Sequence, residues 1–183
     1  MEPRSNRVME NATDVARSDL FTHQSHAVEK ALEYRFLADL TTALLIRGMP
    51  YEVLRPEIDA RGHDLVIEAG GILRHIQLKG LGDGGKRTDF TLHQGLALRP
   101  SACVIVTVYD RTTLQPTGYR WLGGPPGLPI RSLGDRPAHH TRGPRLERPD
   151  HLVVRLSQFE RVQTMDDLID RLFGSADPAE IAA

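Results

Sequence analysis

Apolar residues recur at three- and four-residue steps between Ser25 and Gly48, through Ala27-Val28, Ala31-Leu32, Phe36, Leu40 and Leu44. That period predicts a helix with one buried face, stopped by Gly48 and Pro50. The pattern then shortens to a period of two. Tyr51 to Leu54 predicts a first strand, and Arg55 to Gly62 a connecting loop. Asp64 to Glu68 and Ile72 to Lys79 predict two further strands, joined through Ala69-Gly70-Gly71 as a hairpin. Gly80 to Gly85 predicts a flexible loop, and Phe90 to Leu98 a helix broken at Arg99-Pro100. Cys103 to Tyr109 is the most β-branched run and predicts a buried central strand. Tyr119 to Leu122 predicts a strand before the turn-rich Gly123 to Gly127; residues 128 to 150 read as irregular. Leu152 to Leu156 predicts a short strand, and Met165 to Phe173 a last amphipathic helix. Residues 1–24 carry no period and read as a loose N-terminal arm, leaving 25–183 as one domain. The expected fold is α/β: a central mixed β-sheet flanked by helices.

The hairpin carries the candidate chemistry. Strand side chains alternate faces, so Gln77 and Lys79 project together while Leu78 points away. If Gly70-Gly71 forms a two-residue turn, the symmetric pairing sets Asp64 opposite Gln77. Leu65, Ile67, Ile76 and Leu78 then share an apolar face, and Asp64, Gln77 and Lys79 gather on the other. His63 and His75 fall on opposite faces by the same pairing.

Composition narrows the setting. A chain of 183 residues with 40% hydrophobic and 26% charged residues can bury the core of one domain. The net charge of −1 offers no global attraction to nucleic acid, so such a site must be a local patch. Cys103 is the single cysteine and cannot form an internal disulfide; its apolar run predicts a buried core residue. Trp121 reads as a core or interface anchor. The first thirty residues lack the apolar core of a signal peptide, and no run approaches the roughly 20 residues of a membrane span. The expectation is a cytoplasmic protein with no membrane partner. Cation usage is more telling: there are 20 Arg and 3 Lys, namely Lys30, Lys79 and Lys86. A Lys inside an apolar strand of such a chain reads as a selected compact ammonium, whose properties guanidinium does not share.

The order acidic helix, strand, Asp-led strand, Gln-x-Lys strand, helix, strand resembles the PD-(D/E)XK nuclease superfamily over residues 25–110. The Gln at the usual acidic position is similar to the variant in Mrr-type restriction enzymes, and Asp59-Ala60-Arg61-Gly62-His63-Asp64 resembles their D-x-x-G-x-D approach. The resemblance implies a restriction-endonuclease-like core and a Mg²⁺-dependent endonuclease (Mn²⁺ as substitute) that hydrolyses phosphodiesters, in DNA rather than RNA. It implies Asp64, Gln77 and the Leu78 backbone carbonyl as metal ligands, with Lys79 orienting the attacking water. It also implies a helix carboxylate facing the site; Glu33, beside the stripe of Phe36, Leu37 and Leu40, ranks ahead of Glu29 and Asp39. Such chemistry suits these residue types, because Mg²⁺ takes oxygen ligands and keeps waters and substrate phosphate in its shell. A Gln ligand leaves the site one negative charge poorer. The alternative is therefore a catalytically silent module of the same fold that binds nucleic acid or a protein; a homodimer is left open by either.

Lys86 and Arg87 beside the motif strand, and Arg142 and Arg145 within the basic segment 128–150, are candidate nucleic-acid contacts. Asp59 reads as a loop residue or as a further carboxylate, and His75 as structural or site-lining. Gly80-x-Gly82-x-x-Gly85 matches a dinucleotide-binding fingerprint, a minor alternative. Gln77 and Lys79 in the preceding strand argue against it, since strands of that fold are apolar on both faces.

Overall fold

The computed structural model describes residues 24–58, 61–140 and 146–175. Residues 1–23 of the N-terminal arm, Asp59, Arg142 and Arg145 therefore lie outside the described residues. Helix α1 (Ser25–Ile46) buries Val28, Leu32, Phe36, Leu40 and Leu44, a stripe at four-residue steps. Strand β1 (Tyr51–Leu54) pairs antiparallel with β2 (Leu65–Ala69), which pairs with β3 (Ile72–Gly82). Gly70 and Gly71 both have positive φ (56° and 72°), so a two-residue turn closes Ala69 onto Ile72 and sets the predicted register. Strand β5 (Ala102–Tyr109) runs parallel to β3, and β6 (Pro116–Gly123) and β9 (Glu160–Val162) complete a six-stranded mixed sheet ordered β1-β2-β3-β5-β6-β9. Ala102 to Val106 are fully buried, as a strand covered on both faces requires.

Among the described residues, both helices pack on one face of this sheet. Phe36, Leu40 and Leu44 of α1 share a core with Leu65, Ile67 and Ile76, and with Leu168, Ile169 and Leu172 of α2 (Met165–Phe173). Thr164 caps α2 by accepting from the Asp167 amide at 3.0 Å, and Arg47 ties the helices together through Asp166 (3.0 Å) and Asp170 (2.6 Å). The opposite face, expected to carry a helix, is covered by a second antiparallel sheet of β4 (Asp89–His93), β8 (Glu147–Arg155) and β7 (Pro137–His139), ordered β4-β8-β7. Phe90, Leu92, Val104, Val106, Ile130 and Val154 form the core between the two sheets.

Several expectations are corrected. Phe90 to Leu98 is strand β4 followed by a 3₁₀ segment (Gln94–Leu98), because Phe90 and Leu92 alternate into the second core while Thr91 and His93 do not. Gly80, Leu81 and Gly82 belong to β3 and are not loop, held by parallel pairing with Thr107, Val108 and Tyr109. The segment 128–150 contains β7 and the start of β8, where cross-strand pairing organises a stretch with little apolar alternation. No helix of the described residues is long and apolar enough to cross a membrane.

Candidate functional site

Strand β2 is shorter than β3, and the candidate site follows from that mismatch. Pairing between them ends at Leu65 and Ile76; the Asp64 amide also donates to the Ile76 carbonyl at 2.8 Å. Beyond this point β3 has β5 on one side and, among the described residues, no strand on the other. The Asp64 carboxylate occupies the open edge, where its Oδ2 accepts from the Leu78 amide at 2.6 Å. A strand residue directs its N–H and C=O to the same side, so the Leu78 carbonyl also addresses this edge. The first turns of α1 lie across it, enclosing a cleft of about 490 Å³.

Asp64, Leu78, Lys79, Lys86 and Arg87 line the cleft, with Glu29 and Glu33 from α1. Glu33 is 8% exposed, and its two carboxylate oxygens meet Lys30 (2.7 Å) and Arg55 (3.3 Å). Asp39 is absent from this wall and pairs with Arg35 at 3.0 Å. Gln77 is not brought into the cleft. It is 5% exposed, beneath the loop at Gly62, and its Oε1 has no hydrogen-bond partner among the described residues. The face it shares with Lys79 was expected to gather Asp64, Gln77 and Lys79 into one site; the second sheet packs on that face and buries Gln77. Gly62 has φ +80°, and a Cβ there would stand 2.6 Å from the His93 Cβ, so this position of the motif requires glycine.

The histidines also depart from expectation. His63 and His75 meet edge to face with ring centres 5.3 Å apart, because His63 precedes the strand and escapes its alternation. His93 and His151, partners across β4 and β8, stand 5.0 Å apart. Burial holds the His75 imidazole below its ordinary value against the opposing Pro100 carbonyl. His151 is lowered by burial, then by Arg148 and His93. The unfolded chain takes up these protons near pH 6.5 and the folded chain only lower, so stability present above about 6.5 is lost as pH falls through the folded values. The expected result is a melting temperature that drops from pH 7 to pH 5, with a shallower drop in His75→Gln/His151→Gln, measured by thermal melts across that range.

Thr107, Tyr109 and Arg111, not anticipated from the sequence, complete the cleft from the end of β5 and the turn after it. The available signal was the glycine spacing. A Cβ on Gly80 would come within 3.3 Å of the Tyr109 ring, and one on Gly82 would overlap the Arg111 side chain, 2.9 Å from its Cγ. The dinucleotide fingerprint is thus a shelf for Tyr109 and Arg111. Gly80 and Gly82 lie within β3, and strand β4 follows in place of the phosphate-binding helix that fingerprint needs. Burial raises the Tyr109 phenol above its ordinary value.

The site's donors are oxygens: the Asp64 carboxylate and the Leu78 carbonyl at the strand edge, with the Glu29 and Glu33 carboxylates on the helix wall. No group of three His, Cys, Asp or Glu positioned to hold a metal occurs among the described residues. Carboxylate and carbonyl oxygens of this kind fit a magnesium-class ion that keeps most of its water, and do not fit a thiolate- or imidazole-seeking one. No family model and no curated protein matches the chain.

Proposed function

We propose that this chain is a metal-dependent, nuclease-like enzyme that hydrolyses phosphodiester bonds, with DNA as substrate. The observation that carries the reading is the meeting of Asp64, Glu33 and Lys79 in one cleft at the unpaired edge of β3. The order α1, β1, β2, β3 and then a parallel β5 supports a restriction-endonuclease-like core, with β4 and a 3₁₀ segment where a second helix was expected. Asp64 and the Leu78 carbonyl would hold Mg²⁺, which would supply Lewis-acid stabilisation of charge on the transferring phosphate; Gln77, outside the cleft, takes no part in this reading. Lys79 orients the attacking water and offsets negative charge developing beside it. Lys86, Arg87 and Arg111 neutralise the phosphates on either side of the scissile bond. Glu33, held between Lys30 and Arg55, fixes the helix against the cleft.

A second reading has its own observation. Gln77 stands outside the cleft and Glu33 is engaged by two cations, which suits a silent module that binds nucleic acid at the same cationic wall. Incubating the purified chain with single-stranded, duplex and branched DNA, and with RNA, separates the two. Cleavage that requires Mg²⁺ or Mn²⁺ and stops with chelator supports the enzyme. Binding without cleavage of any substrate supports the silent module.

A further inference from the structure

A second hollow, of about 470 Å³, lies where the two sheets meet, lined by Arg87, Arg120, Arg136, Arg155 and Arg161. Asp89 is the one carboxylate on its wall among the described residues and reaches Arg136 at 3.4 Å. Arg120 of β6 and Arg161 of β9 are direct cross-strand partners. Like charges set opposite each other on neighbouring strands oppose folding. Consistent with that conflict, burial and the neighbouring Arg161 lower the Arg120 guanidinium's proton affinity. Five guanidiniums around one acid constitute an anion site, since each presents planar paired donors that match phosphate oxygens. Arg87 lines both this hollow and the cleft, so the two are contiguous.

We infer that this arginine hollow binds the phosphodiester backbone of the nucleic-acid strand that continues out of the cleft. The inference rests on the cleft being a phosphodiester site, and it assigns Arg120 and Arg161 as binding residues remote from the reacting bond. The test is fluorescence anisotropy of a labelled DNA oligonucleotide with the full chain, without divalent cation, over a salt series. The parental chain is compared with Arg120→Gln/Arg161→Gln. Loss of two phosphate contacts lowers the slope of log affinity against log salt by about 1.5. The melting temperature of the double variant should equal or exceed the parental value, because a like-charge pair has been removed. An unchanged slope, or a lowered melting temperature, overturns the inference. A parental chain that binds without cleaving defeats the enzyme reading alone, and the slope still decides this one. Cleavage with an unchanged slope defeats this inference alone. A parental chain that binds no oligonucleotide defeats both.

Discussion

Lys79→Ala is expected to lower single-turnover cleavage by about a hundredfold or more, the usual cost of one positioned electrostatic group. Lys79→Arg should fail nearly as badly. Arginine is this chain's ordinary cation, used 20 times against 3 lysines, so a mere charge at an exposed strand position would tolerate the change. The cleft already holds Arg87 and Arg111, and a further planar guanidinium is too large, and too firmly protonated, to take the place of a compact ammonium beside the water. Both variants should melt close to the parental temperature, because Lys79 is only partly buried and has no ion pair among the described residues. Single-turnover assays with excess enzyme, run beside thermal melts, make the comparison. Near-parental cleavage by Lys79→Arg would remove Lys79 from the chemistry.

The largest stability effect is expected at Arg74. Its side chain is fully buried and has no carboxylate partner among the described residues. Nε donates to the Leu172 carbonyl at 2.6 Å, one terminal nitrogen to Arg171 at 3.0 Å and the other to Gly124 at 2.9 Å. The guanidinium also lies over the Trp121 ring, 5.5 Å from its centre. Leu172 and Arg171 end α2, where helical carbonyls lack intrahelical partners, so Arg74 caps that helix from within the sheet. Burial lowers its proton affinity, yet a guanidinium stays charged. Arg74→Met leaves three carbonyls without their donor and should cost about 3–5 kcal/mol, or roughly 10 °C or more in melting temperature. Arg74→Lys should recover little, because one nitrogen cannot reach three divergent acceptors. Thermal and denaturant melts report both values; a Met variant within a degree or two of the parent would contradict the capping role.

Most of the first half of the fold was legible because local signals agreed. The helix stripe, the Gly70-Gly71 turn and the β-branched run at 103–109 each satisfy period, turn chemistry and burial at once. Leu65, Ile67, Ile76 and Leu78 share the helix-side core as alternation requires. The second sheet was not legible. Phe90, Leu92 and Leu96 fit a helical stripe as readily as a strand followed by a turn, and only pairing with Val154 and Leu152 across β4 and β8 decides. Missing that sheet is also why Gln77 was expected to join Asp64 and Lys79 in the site. Arg74 was readable in principle, since it stands between Ile72 and Ile76 on the apolar side of β3, but nothing local names the carbonyls it serves. Within the candidate site, alternation accounts for Lys79 and the early strand end for Asp64. Tyr109 and Arg111 arrive through the parallel partner strand, a non-local pairing signalled only by the glycines at 80 and 82 that make room for them.

The most direct measurement of the central claim is Mg²⁺-dependent DNA cleavage by the parental chain and by Asp64→Asn, assayed together. Asparagine keeps an oxygen that can accept from the Leu78 amide, so the strand edge and the melting temperature should survive the change. What it removes is the carboxylate charge at the open edge of β3. The account predicts metal-dependent cleavage by the parental chain, and loss of at least about a hundredfold in Asp64→Asn that raised Mg²⁺ restores only in part. Parental-level cleavage by a folded Asp64→Asn chain would contradict it.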